Sequence, residues 1–150
     1  MKLFRSTAAG ALALAVLLAA GCAGNPARNE QLDSVLAQFD TDTDYAATER
    51  CLPTFRYDTV EVLDEQHLLF KSRQGDKYWL NKLRQRCAGM RPNDTLYFEL
   101  RDNRVCSLDM VSVVDRTFLF WQRMGPSCGL GEFHELTEPQ AQLIREAMRR

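Results

Sequence analysis

The stretch that decides the fold is Tyr57 to Leu83, YDTVEVLDEQHLLFKSRQGDKYWLNKL. It divides into three runs, Tyr57 to Leu63, His67 to Arg73 and Lys77 to Leu83, rich in β-branched, aromatic and leucine side chains. Two polar triplets, Asp64-Glu65-Gln66 and Gln74-Gly75-Asp76, separate them. Short apolar runs bounded by polar turn residues are the pattern of consecutive antiparallel strands. Gly75 supplies the positive φ that a tight hairpin requires.

Outward from these runs the pattern continues. Thr95 to Arg101 places Leu96, Phe98 and Leu100 on one face as a fourth strand, and Asp102-Asn103 turns it into a fifth, Arg104 to Val114. Alternation slips near Asp109 to Val111, as it does at a bulge. Upstream, Leu32, Val35, Leu36 and Phe39 fall at helical spacing, with Asn29 as cap and Glu30 in the first turn. Downstream, Thr137-Glu138-Pro139-Gln140 is a capping box with proline inside the first turn, opening a helix that presents Leu143, Ile144, Ala147 and Met148. The fold expected is α+β and mainly β: a five-stranded antiparallel meander curled toward a small barrel, with an N-terminal and a C-terminal helix.

The chain opens with Lys2 and Arg5 and then runs from Ala8 to Ala20 without a charge, the basic and apolar regions of a secretory signal. The run is short for a membrane span, which needs about 20 apolar residues. Ala20-Gly21-Cys22 resembles the lipobox of bacterial lipoproteins, with Leu18 one residue further from the cysteine than in that pattern. The resemblance implies a signal peptide over 1–21, an acylated Cys22 as the first mature residue, a lipid-anchored tether over 22–28 and a single disulfide-stapled domain over 29–150. Asp after the cysteine retains such proteins in the inner membrane; Ala23 stands there, which implies the outer membrane, facing the periplasm. The first partner expected is therefore the membrane, through lipid whose buried CH₂ groups contribute about 0.8 kcal/mol each.

The 129 residues after position 21 suffice for one hydrophobic core and are too few for two. Of 19 basic residues, Lys2 and Arg5 leave with the signal, so 17 face 20 acidic ones, a net charge near −3. A nucleic-acid binder carries a strongly basic domain, so no nucleic-acid partner is expected. Four cysteines remain beyond Cys22: Cys51, Cys87, Cys106 and Cys128. An even number in an oxidising compartment reads as two disulfides. None of them are spaced as Cys-x-x-Cys, the arrangement that offers two thiolates to zinc from one turn, so no metal is expected. In an up-and-down meander the starts of strands one and five share one end of the sheet. The end of strand three, the start of four and the end of five share the other. That arrangement pairs Cys51 with Cys106 and Cys87 with Cys128.

Candidate chemistry is sparse. Gly125-Pro126-Ser127-Cys128-Gly129 matches Gly-x-Ser-x-Gly, but a nucleophile elbow needs a following helix and then an acid and a histidine, and His134 comes too soon. The segment reads as a glycine-rich turn pinned by a disulfide. Asp40-Thr41-Asp42-Thr43-Asp44 imitates the start of a calcium loop, but Tyr45 replaces the turn glycine and Cys51 the bidentate glutamate. His67 and His134 read as packed or surface histidines. No catalytic residue and no cofactor is expected. Phe118, Leu119, Phe120 and Trp121 form a concentrated apolar segment, either a sixth buried strand or a projecting hairpin whose aromatics meet a partner or the membrane.

Val62-Leu63-Asp64, His67 to Phe70, Cys87-Ala88-Gly89-Met90, Val105 to Asp109 and Gly125 to Gly131 together resemble a family of uncharacterised small exported proteins of proteobacteria. The resemblance spans most of the mature domain and implies no activity. The function expected is an envelope module that binds a protein partner or serves envelope structure. A small-ligand or inhibitor module is the alternative, and an envelope hydrolase the third.

Overall fold

The computed structural model describes residues 26–39, 48–100, 102–115 and 122–149. Among the described residues two helices, α1 (Pro26–Phe39) and α2 (Glu138–Arg149), flank ten strands: β1 (Thr48–Glu49), β2 (Cys51–Pro53), β3 (Tyr57–Val62), β4 (His67–Ser72), β5 (Lys77–Lys82), β6 (Thr95–Phe98), β7 (Arg104–Cys106), β8 (Met110–Asp115), β9 (Gln122–Gly129) and β10 (Phe133–Thr137). All strand pairs are antiparallel. The class is α+β, mainly β, with a helix toward each end.

The opening hairpins form as the sequence pattern requires. β3 pairs β4 with Val60 opposite Phe70, and β4 pairs β5 with Phe70 opposite Trp79. Every side chain of β4 except Lys71 is buried, because both faces of this strand are covered. Leu68 and Phe70 point to one face and Leu69 to the other, as the two-residue period of a strand dictates.

Beyond β5 the neighbours differ from a simple meander. The edge of β5 is taken by β10, not by the Thr95 strand, giving an open five-stranded sheet of order β1-β10-β5-β4-β3 that does not close into a barrel. Fully buried Asn81 fixes that choice: its amide donates to the carbonyl of Gly131 at 2.9 Å and its oxygen accepts the Gly131 N–H at 3.1 Å. Only glycine fits there, since a Cβ at Gly131 would lie 2.1 Å from the Lys82 carbonyl oxygen. The segment from Arg104 divides at Ser107-Leu108-Asp109, so β7 pairs β2 in a two-stranded sheet while β8 lies between β6 and β9 in a third.

Two further boundaries depart from the sequence reading. Residues 26–28, expected in the tether, form the first turn of α1, with Pro26 at the position where its fixed φ suits a helix start and its missing N–H costs nothing. In α2 the buried apolar stripe is Ala141, Ile144 and Met148; Leu143 falls off that face and is 45% exposed. The cap itself is present: the Gln140 side-chain oxygen accepts the Thr137 N–H at 2.8 Å and its hydroxyl at 2.9 Å.

The sheet separates two cores. On one face, Leu32 and Phe39 of α1 and Ala141, Ile144 and Met148 of α2 cover Leu69, Tyr78, Leu80 and Leu136. On the other, Phe70, Trp79 and Phe133 meet Leu52, Val105, Val111, Leu130, Cys87 and Cys128 of the small sheets and loops. Phe70 centres this second core, edge-on to Tyr57 at 5.1 Å and to Phe133 at 5.2 Å. Such offset aromatic pairs contribute about 0.5–1.5 kcal/mol beyond their buried area.

Candidate functional site

The structure brings Cys51 together with Cys106 and Cys87 together with Cys128. The first pair consists of directly opposed residues of β2 and β7, Cα atoms 3.9 Å apart, both partly exposed. The second ties the loop after β5 to β9 across 5.7 Å between Cα atoms, and its cysteines are 1% and 0% exposed.

The turn that follows Cys106 is closely held. The Asp109 carboxylate accepts the Cys106 N–H at 2.7 Å, and the Asp109 N–H returns to the Cys106 carbonyl at 3.0 Å. Ser107 N–H donates to the Arg50 carbonyl at 2.7 Å and Leu108 N–H to the Leu130 carbonyl at 3.0 Å. Leu108 itself adopts φ +85°, a region that L residues other than glycine enter at a cost of roughly 1–2 kcal/mol. Its side chain is 54% exposed. Cys106, Leu108, Asp102, Arg104, Ser107 and Asp109 line a surface groove of about 510 Å³.

A second constellation lies in the β3–β4 turn. The Asp64 carboxylate accepts the backbone N–H groups of Gln66 at 2.6 Å and His67 at 2.7 Å, which shapes the turn, and it contacts the His67 Nδ1 at 3.0 and 3.1 Å. Burial pushes the Asp64 acid up, but the hydrogen bond and charge of His67 and the two backbone donors outweigh it and hold the carboxyl below the usual range. His67 is 5% exposed, and its Nε2 is buried with no hydrogen-bond partner. An aspartate that orients a histidine is one part of a proton-transfer pair. A general base must also reach the proton it removes, and this nitrogen is covered.

The third lies at the opposite end of the sheet. The Glu49 carboxylate accepts both terminal nitrogens of Arg56, at 2.5 and 3.0 Å, and the Trp79 indole N–H at 3.1 Å. The Arg56 guanidinium stacks over the Trp79 ring, 4.8 Å from its centroid. Beside it Phe55, 72% exposed, borders a groove of about 340 Å³ with Arg73, Asp76 and Lys77. The cations here are mostly matched: Arg56 by Glu49 and Lys77 by Glu135, while Arg73 donates to the carbonyls of Phe55 and Tyr57.

Ser127 is not on a turn. The Gly125 to Gly129 segment belongs to β9, where Gly125, at φ +81°, begins a bulge that sets Gly125-Pro126-Ser127 against Ser112 alone. The expected glycine-rich turn is a strand because β8 offers it a ladder, and Pro126 is tolerated since β9 is an edge. The Ser127 hydroxyl meets that of Ser112 at 2.8 Å, and His134 lies on β10 in another sheet. Among the described residues no three His, Cys, Asp or Glu side chains are grouped to hold a metal ion. Cys22, the Asp40 to Asp44 run, and Phe118, Leu119, Phe120 and Trp121 lie outside the described residues.

Two of these groupings leave little trace in the sequence. Asp64 and His67 are three apart across a turn, a local signal that marks turn chemistry as readily as function. Glu49 lies on β1, Arg56 in the turn between β2 and β3, and Trp79 on β5, and only the folded sheet shows their meeting.

These features define a small α+β domain with three antiparallel sheets and two disulfides, one buried and one at the surface. The chain belongs to a family of unknown function (DUF6491), whose model matches residues 4–150. Neither the curated proteins nor the solved structures gave a match.

Proposed function

We propose that the chain is an exported, lipid-anchored envelope module that binds a protein partner or serves envelope structure without catalysing a reaction. The observation that carries this reading is the covalent architecture. β2 and β7, three residues each, are joined by Cys51–Cys106, and the three-stranded sheet is tied to the loop after β5 by Cys87–Cys128. Strands so short hold poorly by their ladders alone, and cross-links of this kind persist where thiols are oxidised. The apolar run ending at Cys22 supports the anchor and an address at the outer membrane, facing the periplasm. The apolar residues Phe118, Phe120 and Trp121, in the connection between the paired residues Asp115 and Gln122, support a contact surface.

Labelled palmitate fed to cells making the full chain tests the anchor, with label expected on the native protein and lost in Cys22→Ser. Crosslinking the anchored protein tests the partner. An adduct with one envelope protein is expected, and Phe118→Ala, Phe120→Ala and Trp121→Ala together should abolish it. A full-length cytosolic chain with free thiols and no label would overturn the reading.

A further inference from the structure

The two disulfides occupy different chemical surroundings. Cys87–Cys128 sits in the core among Phe70, Met90 and Leu130, where another protein's thiol arrives only if the domain opens. Cys51–Cys106 is partly exposed, belongs to a sheet of only two strands, and has Cys106 on the wall of a groove. Leu108, on the same wall, holds an apolar side chain out in solvent through a left-handed backbone that four hydrogen bonds at Cys106, Ser107, Leu108 and Asp109 keep in place. Backbone strain persists only where the surroundings fix it, and it concentrates at functional positions.

We propose that Cys51–Cys106 is a thiol–disulfide exchange site whose co-reactant is a dithiol protein of the thioredoxin-like class, docking on Leu108. The partner's thiolate attacks the Sγ of Cys106, the member of the pair that lines the groove. A new S–S bond forms, the Cys51–Cys106 bond breaks, and Cys51 leaves as a thiolate that takes a proton. The partner's second thiolate then attacks its own sulfur in the mixed disulfide and releases Cys106, which is also protonated. Two electrons and two protons pass to the cysteine pair, and the partner becomes a disulfide; the reverse sequence closes the pair again. With the pair open, the three-residue β2–β7 ladder loses the bond that held it closed, and the burial of Leu52 and Val105, both 0% exposed, keeps the ribbon anchored on the core. The domain stays folded while the ribbon loosens. This rests on the disulfide in the structure and not on the lipid anchor or the envelope partner, so either can fail without the other.

The test uses the full chain in detergent micelles, incubated with a reduced dithiol protein and then alkylated and mapped. Cys51 and Cys106 should become alkylated at least about ten times faster than Cys87 and Cys128, with the far-UV circular dichroism unchanged. A dithiol protein whose second cysteine is serine should be captured as a mixed disulfide at Cys106. Leu108→Asn suits the left-handed backbone, so it should leave opening by a small thiol unchanged while slowing that capture by about three-fold or more. Equal time courses for the two pairs, capture at Cys87 or Cys128, or opening of Cys51–Cys106 only in denaturant would overturn the exchange site. An unchanged capture rate in Leu108→Asn would overturn Leu108 as its docking contact.

Discussion

One face of the five-stranded sheet is covered by helices and the other by short strands, and the two coverings are held by different means. On the helix side, α1 and α2 satisfy their own backbone groups and need only lay an apolar stripe on Leu69, Tyr78, Leu80 and Leu136. On the other side, β2 and β7 have three residues each and β6 four, too few for a ladder to hold them, and both disulfides lie there. What a helix secures by internal hydrogen bonding, this side secures by covalent bonds and, at β6, by the contact of Phe98 with Phe70.

The sharpest way to break this comparison is to remove the disulfides one at a time. Loop length alone ranks Cys51–Cys106, with a sequence separation of 55, slightly above Cys87–Cys128, with 41, at about 4 kcal/mol each. Burial reverses the order, because Cys87→Ala with Cys128→Ala also leaves a cavity beside Phe70. We expect about 5–6 kcal/mol for the buried pair and about 4 for the surface pair by urea unfolding. Equal losses would show that the core sulfurs contribute no packing.

On the helix side the largest single effect is expected from Ile144→Ala, about 3 kcal/mol by the same measurement, since this side chain is fully buried. Leu143, its neighbour in sequence, should change stability by under about 0.5 kcal/mol when replaced by alanine. A similar cost at both positions would mean that the stripe has been placed on the wrong face.

Asp64→Asn should cost about 1–2 kcal/mol near neutral pH, because a charged acceptor of two backbone N–H groups is lost. The sign of its pH dependence follows from the depressed carboxyl. A group held below its unfolded value of about 3.9 contributes stability above that pH and loses it as pH falls through the folded value. The native protein should therefore lose stability below about pH 4 more steeply than Asp64→Asn, as thermal melts across that range would show. A smaller loss is expected at the cap: Gln140→Ala should lower stability by about 1 kcal/mol and fray the first turn of α2, read by amide exchange.

The sequence showed the hairpins from Tyr57 to Lys82 because each turn is local and each strand has a period of its own. It showed α2 for the same reason: cap and stripe lie within twelve residues. The position of β10 was hidden. Phe133 to Thr137 is a short run after two glycines, and its place between β1 and β5 depends on Asn81, 50 positions away from Gly131. The break in the Arg104 to Val114 run was felt as a slip in alternation, but sequence period could not reveal that β7 leaves for another sheet. The Leu108 conformation was equally invisible, since nothing local favours a left-handed leucine; contacts to Arg50 and Leu130 impose it on the turn.

The place of β10 has a consequence for how the chain is made. β10, near the C-terminal helix in sequence, lies inside the largest sheet between β1 and β5, so a nascent chain that has reached Glu132 has synthesised β1, β3, β4 and β5 yet lacks the piece that joins β1 to the others. Sequence separation this long slows folding, and it leaves the edge of β5 bare until β10 docks. A chain ended by a stop codon before Phe133 should stay open and protease-sensitive and yield an aggregating fragment rather than a smaller folded protein.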